Sequence, residues 1–96
     1  MDRENAVRIM REHIDDLQSL GVKSLALFGS TARNEARLES DVDILVEFNA
    51  PLTFDRFMET KFYLEEILGN PVDLVVQKNL RPRIKPHIES EAIYVT

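Results

Sequence analysis

The sequence predicts an α+β protein of two layers, in which a small mixed β-sheet packs on helices. Segments with helical spacing of apolar residues alternate with short strand-like segments along the 96 residues. A chain of this length suits one domain with one core. Its 44% hydrophobic and 30% charged residues are typical of a soluble globular protein. We therefore expect residues 1–96 to form a single domain.

The first third of the chain predicts a helix, a strand and a turn. Apolar residues recur at helical spacing over residues 2–20, and Gly21 follows as a natural stop. Residues 22–28 are a short apolar segment between Gly21 and Gly29, which favours a buried strand. Ser30 is placed to cap a short helix that runs to about Ala36.

The rest of the chain continues the alternation. Residues 40–48 predict a second strand, closed by the turn residues 49–51. A helix beginning at Thr53 carries a broad apolar stripe and stops before Gly69. The remaining predictions are a third strand over 71–77, a short helix over 86–91 and an extended tail over 92–96.

Two of the predicted strands carry aspartates among apolar residues. Successive side chains of a strand point to opposite faces, so Asp41 and Asp43 share one face while the valines and isoleucine between and after them share the other. Asp73 has the same placement in the third strand. If the strands are neighbours, three carboxylates converge, and two like charges ~4 Å apart repel by ~4 kcal/mol at an effective dielectric near 20. Mg²⁺, which prefers oxygen ligands and phosphates, would relieve that repulsion.

The turn before these acids suits phosphate binding. Gly29 lets the backbone approach a ligand closely, and Ser30 offers a hydroxyl and an N–H near a helix start. Arg33 can add charge-assisted hydrogen bonds to phosphate oxygens. We therefore expect the phosphates of a nucleoside triphosphate at this turn.

The same residues carry a family resemblance. Gly29 and Ser30, followed after ten residues by Asp41, Val42 and Asp43, resemble the glycine-serine and paired-aspartate motif of the DNA polymerase β-type nucleotidyltransferases. The stretch GSTARNEARLESDVDILVEF is similar to the minimal nucleotidyltransferases, small MntA-type antitoxins that accompany HEPN-domain toxins in prokaryotes. The resemblance covers nearly the whole chain and implies the nucleotidyltransferase fold.

The resemblance also implies roles for the matching residues. Asp41 and Asp43 would be shared ligands of two Mg²⁺ ions, and Asp73 would be the third catalytic and metal-binding acid, helping to deprotonate an acceptor hydroxyl. Gly29, Ser30 and Arg33 would hold the nucleotide, with ATP as the substrate.

One position departs from the family pattern. Where these proteins often read Ala-Arg-Gly-Glu, this chain has Asn34 in place of the glycine. Asparagine tolerates a left-handed backbone better than most residues, so the turn is expected to survive the change.

The chain is too short to hold a separate acceptor-binding domain. By resemblance, the acceptor is a hydroxyl, expected to be a tyrosine, on a HEPN-domain toxin, which receives AMP and loses its RNase activity. An alternative is a binding module of the same fold that neutralises its toxin by occlusion without catalysis, to which Asn34 is the one motif-level hint. A third possibility, transfer to a small molecule or RNA, would need an acceptor pocket larger than this chain provides.

Composition bounds the other function classes. A formal net charge of -5 argues against direct nucleic-acid binding over a broad surface. The absence of cysteine fits a reducing cytoplasm and excludes thiolate metal sites, and no apolar stretch is long enough for a membrane span. The segment 78–87 holds four basic residues and no acid, and its role stays open.

Bulky side chains outside the motif predict packing. Four residues of the second long helix are expected to fill the core under the sheet: Phe54, Phe57, Met58 and Phe62. Tyr63 and Leu64 extend this stripe sideways into an apolar shoulder that suits a partner or a second copy, and hence a homo- or hetero-oligomer. His13 is expected to be half-buried and His87 to lie at the surface, neither as a metal ligand.

Overall fold

Four strands form the sheet of the computed structural model, which describes residues 1–35, 41–49 and 51–96. The strands are β1 Val22–Phe28, β2 Val42–Phe48, β3 Val72–Val76 and β4 Ile93–Tyr94. The helices are α1 Arg3–Glu12, α2 Ile14–Ser19, α3 Gly29–Ala32, α4 Phe54–Leu68 and α5 Lys85–Glu91, with a 3₁₀ turn at Gln77–Asn79. Ala36, Ser40 and Ala50, to which the sequence assigns a helix end, a strand start and a turn, lie outside the described residues.

The sheet is mixed, as predicted. Its strand order is β3-β2-β1-β4. Strand β1 pairs antiparallel with both β2 and β4, whereas β2 and β3 run parallel. A parallel pair needs a crossover, and α4 provides it between β2 and β3. The predicted α+β class is confirmed.

One face of the sheet packs on the helices and forms the core. The alternate residues of β2 and β3 are buried there together with residues of the helices: Ala6, Met10, Leu17, Val42, Ile44, Val46, Leu64, Leu68, Val72, Leu74 and Val76. The intervening residues Asp43 and Asp73 point to the opposite face, because side chains alternate along a strand. The core therefore fixes which face carries the acids.

The predicted first helix is two helices. Asp2 caps α1, its carboxylate accepting a hydrogen bond from the Asn5 N–H at 2.8 Å. At His13 the backbone leaves the helical region, with φ -111° and ψ 19°. The His13 Nδ1 lies 2.8 Å from the Ile9 carbonyl oxygen, so the imidazole pairs with a carbonyl near the end of α1. The break coincides with this contact, and apolar spacing does not reveal it.

Helix α4 has the predicted bounds but a narrower buried face than predicted. The Thr53 hydroxyl caps its start, 3.1 Å from the Arg56 N–H, and Gly69 ends it in the left-handed conformation at φ 69°. Phe54 and Phe62 are 76% and 57% exposed, so the expectation that they fill the core was wrong. Buried positions fall instead on Thr60, Leu64 and Leu68, because the apolar stripe is wider than the surface that the sheet can cover.

No helix within the described ranges is both long enough and apolar enough to cross a membrane.

Tyr63 joins α4 to α2 and predicts a pH-dependent stability. Its hydroxyl donates to Asp16 Oδ2 at 2.7 Å, and its ring packs edge-on against half-buried His13 at 6.2 Å between centroids. Burial, followed by the Asp16 hydrogen bond, raises the pKa of Tyr63 to about 12. A raised pKa stabilises the fold below the unfolded value of about 10, and that contribution is lost as pH rises through 12. We expect urea unfolding to show stability falling over this range in the parent and falling less in Tyr63→Phe.

Candidate active site

Asp43 and Asp73 meet on the open face of the sheet. They are directly opposite each other in the parallel register of β2 and β3. Asp43 is half-buried and Asp73 exposed. The two acids are therefore brought together by strand pairing between segments about 30 residues apart, as the alternation of each strand predicts.

The surroundings of Asp43 disfavour its charged form. Burial raises the pKa of Asp43, and the charges of Asp73 and Asp41 raise it further, as does a hydrogen bond between the Asp43 and Asp73 carboxyls. Arg33 acts in the opposite direction and lowers the pKa of Asp43. An acid whose ionisation is opposed by neighbouring carboxylates forms with them a set of oxygen ligands suited to a divalent cation.

Gly29 lies against the carboxylate of Asp43. It directly follows β1, adopts φ +72°, and a Cβ built on it would lie 2.9 Å from Asp43 Cγ and in contact with Oδ2. No side chain fits there without displacing the acid. Only glycine combines this close approach with a left-handed backbone.

Asp41 lies at the edge of the acid pair. It is exposed, immediately before β2. Together with Asp73 it lines a groove of about 370 Å³ between β3 and α4, whose other walls are Phe57, Met58, Lys61, Val72 and Leu74. In residues 1–35, 41–49 and 51–96, no three acid, histidine or cysteine side chains are already gathered as a metal-ligand set. A third ligand would therefore come into place through rotation of a side chain such as exposed Asp41.

A second cavity lies elsewhere and has different chemistry. It measures about 210 Å³ and is lined by residues from the end of α2, Phe48 and the start of α4, with Arg56 as its single charged residue. Without a carboxylate it offers no ligand set for Mg²⁺. The acid-lined groove is the better candidate for the reaction.

Ser30 lies inside α3 and is not its cap. The residue before the helix is Phe28, which gives no side-chain cap, and Ser30 is the second helical residue. The Ser30 carbonyl accepts the Glu35 N–H at 2.8 Å. The predicted cap was wrong because the helix begins at Gly29, two residues earlier than a helix capped by Ser30, but Ser30 still follows Gly29 beside the acids.

Arg33 is held between two carboxylates. Its Nε donates to Glu35 Oε2 at 3.2 Å, and its Nη1 donates to Glu91 Oε2 at 3.1 Å. These hydrogen bonds raise the pKa of Arg33 above its usual value, with Glu35 contributing most. Its effect on the pKa of Asp43 places its positive charge within electrostatic reach of the acids.

Asn34 keeps the backbone that the family's glycine would supply. It has φ 60°, the one left-handed residue other than glycine in the described part of the chain. Its N–H donates to the Thr31 carbonyl at 3.0 Å, which closes the turn after α3. The expectation that asparagine preserves the turn is confirmed.

This backbone predicts how Asn34 responds to substitution. Asn34→Gly is expected to change stability by less than about 0.5 kcal/mol, whereas Asn34→Val should lower it by about 1–2 kcal/mol, because a β-branched residue is strained at positive φ. Urea denaturation of the three proteins measures the difference. Equal stability of the valine variant would contradict a left-handed turn.

Glu91 is the residue at this site that sequence reasoning missed. It ends α5, accepts from the Gly29 N–H at 3.3 Å and from Arg33, and lies 3.9 Å from exposed His87. Gly29 and Glu91 are 62 residues apart. Only the pairing of β4 with β1 brings them together, and a two-residue strand gives little sequence pattern.

The Asp43–Asp73 pair and the Gly29 turn beside it suit a divalent cation and a triphosphate. Carboxylates on the open face can supply oxygen ligands, and the Gly29 backbone packs directly against the Asp43 carboxylate, which brings the start of α3 next to those ligands. Asp41, Asp43 and Asp73 as metal ligands, and Gly29, Ser30 and Arg33 as nucleotide ligands, stay predictions that these positions support.

Known proteins share this sequence and fold. The family described as nucleotidyltransferase domain matches residues 8–95. A Methanocaldococcus jannaschii protein assigned as a protein adenylyltransferase is 48% identical over 92 residues, covering 91% of each chain. The protein adenylyltransferase MntA of Thermococcus cleftensis is 39% identical over 93 residues, covering 96% of this chain and 94% of its own.

Solved structures share the fold of this chain. A structure assigned as a minimal nucleotidyltransferase superposes with a TM-score of 0.82 at 39% identity, covering 97% of this chain and 95% of its own. A chain in the complex of a tri-AMPylated HEPN toxin with its MNT antitoxin from Shewanella oneidensis has a TM-score of 0.67 at 19% identity, covering 94% and 71%. The second likeness shows the fold alone. The chain belongs to the nucleotidyltransferase family, as one of its minimal members, and is a nucleotidyltransferase.

Proposed function

We propose that this protein transfers AMP from ATP to a hydroxyl group of a HEPN-domain toxin and thereby acts as its antitoxin. The observation that carries the proposal is the Asp43–Asp73 pair, set in parallel register against a glycine that admits no side chain. The relatives named protein adenylyltransferase support AMP and a protein acceptor, and the fold shared with a HEPN–MNT complex supports the partner.

The residues of the site have separate roles in the proposed reaction. Ser30 and Arg33 bind the triphosphate, and the glycine turn lets it lie against the acids. Asp41, Asp43 and Asp73 would hold Mg²⁺, which would neutralise charge on the triphosphate and lower the pKa of the acceptor hydroxyl. Asp73, exposed on the groove, accepts the proton of that hydroxyl. The hydroxyl oxygen bonds to the α-phosphorus, the bond to the bridging oxygen breaks, and pyrophosphate leaves.

The position of the groove supports one direction of approach for the acceptor. Gly29 and Arg33 lie on the β1 side of the acids, whereas the groove of Asp41 and Asp73 opens on the β3 and α4 side. A nucleophile and a leaving group occupy opposite sides of the phosphorus in an in-line displacement. The toxin hydroxyl therefore reaches the site along α4, where Phe54 and Phe62 are exposed.

The test is mass spectrometry of the intact partner. The protein is mixed with the toxin encoded beside it, Mg²⁺ and each nucleoside triphosphate in turn. We expect the toxin to gain the mass of AMP from ATP, and to gain nothing with Asp43→Ala. Inhibition of the toxin that survives Asp43→Ala without added mass would support occlusion instead. The left-handed backbone of Asn34 supports an intact turn in this chain.

A further inference from the structure

Glu91 connects the two parts of the predicted triphosphate site. Its Oε1 accepts from the Gly29 N–H at 3.3 Å, and its carboxylate accepts from Arg33 Nη1 at 3.1 and 3.4 Å. The Glu91 side chain is 19% exposed and the Arg33 side chain 46%, so the carboxylate is the more buried partner of this pair. One carboxylate therefore holds the glycine turn and the arginine that follows it.

A carboxylate at this position permits two opposite effects on nucleotide binding. As an anion among phosphate-binding donors, it would compete with the triphosphate and weaken ATP binding. As a fixed anchor, it would hold those donors in place and strengthen ATP binding. The structure distinguishes the two by what supports Glu91 and by which donors it uses.

Glu91 is linked to the sheet through the strand that follows it. Glu91 lies two residues before β4, which pairs with Ala26 and Leu27 of β1, and the Val95 N–H donates to the Leu25 carbonyl at 2.8 Å. In contrast, α3 is a helix of only four residues. A helix this short has little stability of its own, so its geometry depends on tertiary contacts such as those of Glu91.

The donors that Glu91 occupies leave others for phosphate. A guanidinium has five N–H groups, and the contacts of Arg33 with Glu35 and Glu91 use Nε and Nη1. Within residues 1–35, 41–49 and 51–96, these contacts leave Nη2 of Arg33 for a phosphate oxygen. Ser30, the residue after the anchored Gly29, presents its hydroxyl next to the fixed backbone.

We infer that Glu91 is a positioning residue for the triphosphate, which holds the Gly29 turn and the Arg33 guanidinium in their nucleotide-binding geometry and makes the end of α5 part of the active site. This inference rests on the proposed function for the identity of the nucleotide. It adds a residue outside the glycine-serine and aspartate motif to the machinery of transfer.

The experiment compares Glu91→Ala and Glu91→Gln with Glu89→Gln. Glu89 is the matched control, because it is on the same helix and carries the same charge but its Oε2 accepts from Gln77 Nε2 at 2.8 Å. The measurements are the Kd of a non-hydrolysable ATP analogue with Mg²⁺, kcat and KM for transfer, and Tm. The binding measurement does not require transfer.

We expect Glu91→Ala to raise Kd and the KM for ATP by about tenfold, with a smaller change in kcat, since two charge-assisted contacts to the binding donors are lost. Glu91→Gln keeps an acceptor for the Gly29 N–H and should lose less, while Glu89→Gln should match the parent. If the Tm shows that Glu91→Ala does not fold, the binding measurement on Glu91→Gln alone tests the inference.

Unchanged or tighter analogue binding in a folded Glu91 variant would overturn the inference, the tighter case showing that the carboxylate competes with phosphate. Equal weakening by Glu89→Gln would also overturn it. Failure of the proposed function is a separate result, namely no transfer by the parent protein to its toxin, and it leaves the comparison of binding constants intact.

Discussion

Asp43→Asn is expected to abolish AMP transfer and, at the same time, to make the ligand-free protein more stable near neutral pH. The first effect follows from the loss of a carboxylate that would bind Mg²⁺ on the open face of the sheet, and transfer should fall by at least about a thousandfold. The second follows from the half-buried position of Asp43 opposite Asp73. The Asp43 carboxylate is therefore needed for transfer but lowers the stability of the ligand-free fold.

The sign of the stability change follows from the pKa. Burial, Asp73 and Asp41 together raise the pKa of Asp43. A raised pKa means that the fold is favoured by protonation, so this contribution is present below the unfolded pKa of about 4 and is lost as pH rises through the folded value. Ionisation of Asp43 therefore destabilises the fold, and asparagine, which carries no charge, removes that effect.

Thermal unfolding with and without Mg²⁺ measures both effects. Without the ion, Asp43→Asn should melt a few degrees above the parent at pH 7 and show no such gain at pH 3. With Mg²⁺ and ATP analogue the parent should gain Tm and the variant should not. Glu59→Gln, at an exposed position of α4, is the control for the change in net charge. A variant that melts below the parent at pH 7 would contradict the electrostatic account.

Local sequence was enough to predict the elements whose ends carry strong conformational preferences. The Thr53 cap and the left-handed Gly69 bound α4, and the glycines at 21 and 29 bound β1. The acid pair was predictable for a related reason, since a period of two places the aspartates on the face away from the valines.

Features that depend on long-range pairing were not predictable in this way. The contacts of Glu91 exist because β4 pairs with β1, and two residues of strand leave almost no pattern. The exposure of Phe54 and Phe62 depends on how much of α4 the sheet covers, which composition does not reveal. The break at His13 coincides with one side-chain contact with a carbonyl.

Gly29→Ala is expected to disrupt the site more than the size of the added methyl group suggests. The added Cβ would lie in the space of the Asp43 carboxylate, and the backbone at φ +72° is itself unfavourable for alanine. Asp43 would have to turn away from Asp73, or the turn would have to open. We expect transfer to fall by about a hundredfold or more, because a shift of about 1 Å in a positioning group has that effect.

Gly69→Ala separates the steric effect from the backbone effect. Gly69 ends α4 at φ +69°, almost the same angle, but a Cβ there meets no atom within 4 Å. Both variants should lose about 1 kcal/mol of unfolding free energy to backbone strain. Urea unfolding should show a further loss only for Gly29→Ala, which should also lose transfer activity. The double variant Gly29→Ala with Asp43→Ala should recover part of the excess loss of stability, since the group that the methyl meets is gone. Equal losses in the two single variants, or no recovery in the double variant, would show that the contact between the glycine and the acid does not set the geometry of the site.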